Sequence, residues 1–153
     1  MSEPSADYAL GGTETELNRL RAQAEEYEVS ARWLLDTIGI RPGSRVLDVG
    51  CGPIGILGLL SEKVGPEGEV VGLEREPRFV ELARREVGRL GLQNVTILEA
   101  DALNNRLDSD SFDFVHERLV MVNVPERREL LSEMLRVTVP GGAIALQDID
   151  NVS

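Results

Sequence analysis

The chain has 153 residues, 42% of them hydrophobic and 28% charged, with a formal net charge of −11. That length and composition suit one domain with its own core and exclude a disordered polar chain. The acid excess argues against a nucleic-acid partner, because such proteins carry a basic stripe for phosphates.

Residues 1–12 are polar and end in Gly11-Gly12. They show neither the basic n-region nor the apolar h-region of a secretory leader. Thr13, with Glu16 three residues on, reads as a capping box. From there to about Ile38, residues Leu17, Leu20, Ala24, Tyr27, Ala31, Leu34, Leu35 and Ile38 recur at helical spacing. Gly39 stops that helix, and residues 41–44 form a turn. An alternation then begins. Short apolar strands are expected at 45–49, 69–73, 95–98, 112–115 and 143–146. Helices are expected at 54–64, 77–90 and 125–137, with Pro77 suited to a first helical turn. Strands alternating with helices through short loops imply a parallel sheet covered on both faces. Residues 1–40 read as a helical arm and 41–153 as one core, with no internal repeat. No apolar run approaches the ~20 residues that span a bilayer, so no membrane partner is expected. Cys51 is the single cysteine, which excludes an intrachain disulfide and suggests a reducing, cytoplasmic setting.

The most informative segment is RVLDVGCGPIG, residues 45–55. A buried strand delivers the chain into a glycine turn, where the backbone can approach a ligand closely. The helix that follows would offer free N–H groups. Read literally, Gly50-x-Gly52-x-x-Gly55 is the dinucleotide fingerprint, and Glu74 follows at the distance expected for ribose hydroxyls. Three features turn the pattern toward S-adenosylmethionine. Asp48, just before the first glycine, would attract an ammonium and repel a pyrophosphate. Pro53 removes a backbone donor from the turn. Asp101 ends the third strand with a carboxylate suited to an adenine amino group.

With those residues in place, the sequence resembles the class I methyltransferase family along nearly its whole length. VLDVGCG resembles motif I, VVGLERE the acidic loop, ILEADAL the adenine motif and FDFVHERLVMVNVPER motif IV. LRVTVPGGAIAL resembles the helix and strand that follow. The lead-in YALGGTETELNRLRAQAE resembles the N-terminal arm of bacterial small-molecule methyltransferases. The resemblance implies a Rossmann-like α/β fold with a mostly parallel sheet of about five strands in order 3-2-1-4-5. It also implies roles. Gly50 and Gly52 would bring backbone against the methionine part of the cofactor, with Cys51 between them. Asp48 would organise that end, Glu74 would take the ribose hydroxyls and Arg75 would flank the adenine. Asp101 would accept from the adenine amino group, and the Ala102 N–H would meet a ring nitrogen. His116 and Glu117 would border the methionine end, while Gln23 and Tyr8 would close over the cofactor from the arm. The pattern departs from the family at Ile54, where a third glycine is usual and here comes at Gly55.

Blander readings stand beside these. Cys51 has no local activating partner and reads as a packing residue. His116 is the single histidine; it is the candidate general base, with an architectural role as the alternative. One histidine and one cysteine make no zinc site. The function expected is methyl transfer from S-adenosylmethionine to a small-molecule oxygen, nitrogen or carbon nucleophile. An NAD-dependent oxidoreductase fragment and a non-catalytic binding or assembly module remain as alternatives. Family members usually add two further strands after the fifth, whereas this sequence stops at Asn151-Val152-Ser153. A homo-oligomer covering the fifth-strand edge is therefore expected.

Overall fold

The structure is a computed structural model, and it describes residues 14–149. Tyr8, the capping box at Thr13 and the last residues lie outside that range. Among the described residues four helices and five strands follow one another: α1 (Glu14–Ile38), β1 (Arg45–Val49), α2 (Leu57–Val64), β2 (Glu69–Glu74), α3 (Pro77–Arg89), β3 (Val95–Glu99), β4 (Phe112–Arg118), α4 (Arg127–Val137) and β5 (Thr138–Gln147). Two short 3-10 turns, Ala102–Asn104 and Met121–Asn123, punctuate the loops around β4.

The strands form one sheet in the order β3-β2-β1-β4-β5, and every neighbouring pair is parallel. The expected order is the observed one. Side chains alternate across a strand, so each strand feeds two cores. Val46, Val70, Ile97 and Phe114 face one cluster with Ala31 and Leu35 of α1, Leu57 and Leu60 of α2, and Val80 and Ala83 of α3. Leu47, Val71, Leu73 and Val115 face the other, with Leu130, Met134 and Val137 of α4. This double burial explains why the strands read as continuous apolar runs rather than as alternating ones.

Three boundaries differ from expectation by three residues or more. Helix α2 starts at Leu57 rather than at residue 54, because Pro53, Ile54 and Gly55 continue the turn. A Cβ at Gly55 would lie 2.7 Å from the Cys51 carbonyl oxygen, so the turn folds tightly on itself there. Strand β4 runs on to Arg118, since β1 and β5 both pair with its last residues. Strand β5 follows α4 directly at Thr138, and residues 139–142 bulge out before the ladder resumes at Ala143.

The topology decides where a ligand goes. From β1 the chain builds outward to β2 and β3, then returns to place β4 on the other side of β1. Loops leaving β1 and β4 therefore diverge and open a crevice at the carboxyl ends of the strands. No helix among the described residues is long and apolar enough to cross a membrane.

Candidate functional site

The crevice has two lobes that share Gly50 and Leu119. The smaller, about 150 Å³, lies between α1 and the glycine turn; its walls include Gln23, Tyr27, Asp48, Cys51, Gly52 and His116. The larger, about 280 Å³, lies over the ends of β2 and β3; its walls include Glu74, Arg75, Asp101 and Ala102. Ten of the expected residues thus line these two adjoining lobes: Gln23, Asp48, Gly50, Cys51, Gly52, Glu74, Arg75, Asp101, Ala102 and His116. Glu117 lines neither lobe, and Tyr8 is outside the described residues.

Gly50 and Gly52 both adopt left-handed backbone, with φ of +63° and +62°. That conformation suits glycine and strains other residues. The turn is pinned from β2. Cys51 N–H donates to the Leu73 carbonyl (3.0 Å), and Gly52 N–H donates to Glu74 Oε2 (3.1 Å). Glu74 Oε1 accepts in turn from the N–H groups of Arg75 and Glu76. A carboxylate offers about four acceptor sites, so three backbone donors leave one for a ligand hydroxyl. Asp101 divides its work similarly. Its Oδ1 accepts from Leu103 N–H (2.9 Å) and caps the 3-10 turn, while its second oxygen is available to the lobe.

Behind the smaller lobe a polar chain runs from a buried pair out to the surface of α1. Asp48 is 3% exposed and His116 is 1% exposed. His116 Nδ1 donates to Asp48 Oδ1 at 2.8 Å, and Nε2 lies 3.4 Å from Gln147 Oε1. Gln147 Nε2 donates to Ser30 Oγ of α1 (3.2 Å), whose hydroxyl donates to the Tyr27 carbonyl. Motif residue and arm are thereby tied together through β4 and β5.

Cys51 is buried, and burial with the charges of Asp48 and Glu74 pushes its thiol far above the ordinary range. It packs in space that Gly72 leaves open, which matches its reading as a packing residue. Glu117, 0% exposed, serves the loop beneath the cleft rather than the cleft itself. Its Oε2 accepts from Val120 N–H (2.9 Å) and Met121 N–H (3.1 Å). Those bonds hold a turn in which Leu119 takes a left-handed φ of 59°. Burial, opposed by the two N–H donors and reinforced by Asp148, raises the Glu117 carboxyl above its usual range.

A profile of the methyltransferase domain family matches residues 40–153. The chain belongs to that family. The demethylmenaquinone methyltransferase of Staphylococcus epidermidis is 34% identical over 120 residues, covering 78% of this chain and 49% of that protein. That of Listeria welshimeri is 32% identical over 125 residues, covering 80% and 53%. This methyltransferase domain therefore spans about half the length of the curated relatives it matches. Among solved structures, an S-adenosylmethionine-dependent methyltransferase from Aquifex aeolicus aligns with a TM-score of 0.76 at 26% identity, covering 84% of this chain and 70% of that one. A putative S-adenosylmethionine-dependent methyltransferase from Methanococcus maripaludis aligns over 97% of this chain and 67% of that one, with a TM-score of 0.82; at 17% identity it shows the fold alone.

Several cleft residues, three of them on α1 ahead of the matched domain, show no distinguishing signal in the sequence. Leu20, Ala24 and Tyr27 belong to a helical apolar stripe that reads as core, yet they wall the smaller lobe. Arg118 lies inside the motif IV stretch, but an arginine at a strand end reads as solvated. Leu119 and Val120 show no signal at all, because their place depends on the left-handed turn after β4.

Proposed function

We propose that this methyltransferase domain binds S-adenosylmethionine across the two-lobed cleft and transfers its methyl group to a small-molecule oxygen, nitrogen or carbon nucleophile. The observation that carries the reading is the placement of acids along one cleft: Asp48 at the glycine turn, then Glu74, then Asp101. Such a row suits an ammonium, ribose hydroxyls and an adenine amino group in turn, and would repel a pyrophosphate. The cradle also fits. A Cβ on Gly52 would meet nothing within 4 Å, so the backbone there is open to a ligand.

When bound, the sulfonium would supply an electrophilic methyl group, so the cofactor carries the hard chemistry. The chain's own task is to bind, orient and exclude water. Glu74 and Asp101 would hold the nucleoside, and Arg75 would flank the adenine. Asp48 would face the ammonium, oriented by His116. Gln23, with the apolar Leu20, Ala24 and Tyr27, would screen the reacting end from solvent. We read His116 as a positioning residue, because its Nδ1 is engaged by Asp48 and its ring is buried. An acceptor that is already nucleophilic needs no dedicated base.

Two observations disfavour the dinucleotide alternative. Helix α2 starts at Leu57, so its free N–H groups do not directly follow Gly50 and Gly52, and Pro53 offers no donor. The relatives named above are demethylmenaquinone methyltransferases, which supports a small-molecule acceptor. The acid excess supports the absence of a nucleic-acid partner, and a single buried thiol supports a cytoplasmic setting.

Calorimetry tests the reading. S-adenosylmethionine and S-adenosylhomocysteine should bind, NADH should not, and Glu74→Ala should weaken binding at least about tenfold, the loss of one charge-assisted hydrogen bond. A folded wild type that binds neither sulfur compound would sink it.

A further inference from the structure

We propose that Arg118 is the receptor for a carboxylate in the smaller lobe, and that this carboxylate is the one on the aminoacyl arm of the cofactor. The proposal rests on the reading of the cleft as an S-adenosylmethionine site. Its own basis is an unmet donor. Arg118 ends β4 and lines the smaller lobe, yet its Nη1 is buried with no hydrogen-bond partner. Other arginines of this acidic chain find carboxylates: Arg32, Arg45, Arg85, Arg89 and Arg136 all do so. The acid nearest in the lobe wall, Asp48, is engaged by His116.

Withdrawing a guanidinium from water without an acceptor is costly. Burial pulls the group below its ordinary range, against the attraction of Asp48 and Tyr27. The guanidinium is nonetheless held in place. Its carbon lies 5.2 Å from the centre of the Tyr27 ring on α1. A donor kept in position and left unsatisfied is poised for a ligand atom, and a planar guanidinium matches a carboxylate in bidentate fashion.

The lobe as a whole indicates which carboxylate. Histidine aside, its charged lining residues are one acid, Asp48, and one base, Arg118. An α-amino-acid group carries one charge of each sign and would satisfy both. The larger lobe, reached past Gly50 and Leu119, holds the residues suited to a nucleoside. A methyl acceptor bearing its own carboxylate offers the same chemistry, so the test must separate the two.

The experiment is calorimetry on wild type, Arg118→Met and Arg118→Lys with two probes, S-adenosylmethionine and its decarboxylated analogue. Wild type should prefer the carboxylated compound by at least about tenfold, the ratio expected for losing a charge-assisted hydrogen bond. Arg118→Met should bind both compounds equally, and Arg118→Lys should keep part of the preference. Circular dichroism checks that each variant is folded; should Arg118→Met not fold, the reduced preference of Arg118→Lys carries the comparison. If the variants prefer the carboxylated compound as wild type does, Arg118 does not hold that carboxylate and the proposal falls. If wild type binds both compounds equally, the cofactor reading stands and the Arg118 assignment fails. If folded wild type binds neither, the cofactor reading itself fails.

Discussion

At Gly50 a Cβ would lie 2.5 Å from Val120 Cγ2, on a backbone already in the left-handed region. Gly52 shares the backbone conformation but faces open space. The two glycines therefore fail differently. Gly50→Ala should cost about 2 kcal/mol or more, from strain plus the clash with Val120. Gly52→Ala should cost about 1–2 kcal/mol from strain alone, while its new methyl enters the cleft and weakens ligand binding. Denaturant melts and calorimetry on both variants check this; equal stability losses would contradict it. Glu117 gives a prediction in pH. Its carboxyl titrates above the ordinary range in the folded state, so protonation favours folding. The stability that proton contributes is fully present below the ordinary carboxylate range and is lost as pH rises through the raised value. Glu117→Gln keeps an acceptor for the Val120 and Met121 N–H groups without the charge. Its stability relative to wild type should rise with pH and converge at acid pH; a difference independent of pH, measured by urea midpoints, would refute the assignment. The sequence marked Glu117 as important because it sits in a motif. It could not reveal that the side chain turns under the loop, since burial depends on β1, β5 and α4 closing around β4.

Among the elements, the loop from β3 to β4 shows how the larger lobe is held. Asn105 is buried and makes four hydrogen bonds. Its Nδ2 donates to the Ala102 carbonyl and Glu133 Oε2, and its Oδ1 accepts from Leu107 N–H and Arg136 Nη2. Arg136 adds a bond to the Leu107 carbonyl (2.7 Å) and pairs with Glu133. The loop that presents Asp101 and Ala102 is thereby clamped to α4. Asn105→Ala should cost about 2 kcal/mol, because it strands buried partners, and should weaken nucleoside binding through the loop. Thermal unfolding and calorimetry read the two effects; unchanged stability would overturn the clamp. Arg136 holds the Glu133 carboxyl below its usual range, so that pair's contribution is present above the ordinary carboxylate range and fades as pH falls through the lowered value. Nothing in the sequence singled out Asn105. Its value comes from meeting a helix residue, Glu133, 28 positions away. Helix α1, by contrast, was legible from its apolar spacing. What spacing could not separate was Ala31 and Leu35, which enter the core, from Leu20, Ala24 and Tyr27, which stop short and wall the cleft.

For the molecule as a whole, β5 is one of the two edge strands, opposite β3, and carries no further strand among the described residues. Leu146 is 47% exposed and Ile149 is 46% exposed. We propose that a second copy of this chain pairs along that edge. Light scattering at high concentration should then show a dimer, and Leu146→Lys should return it to monomer; a monomeric wild type would end the proposal. The sequence alone determined the alternation of strand and helix, because the apolar runs, glycine stops and proline starts are local signals. It also placed the acids of the cleft, since each sits at or within two residues of a strand end, where loops must face the crevice. Only the tertiary structure decided which of those groups are free to bind. Pairing of β1 with β4 set His116 on Asp48, docking of α1 placed Tyr27 on Arg118, and the turn after β4 drew Glu117 inward. These are contacts between residues distant in the chain, and no local pattern encodes which charged group finds a protein partner and which does not.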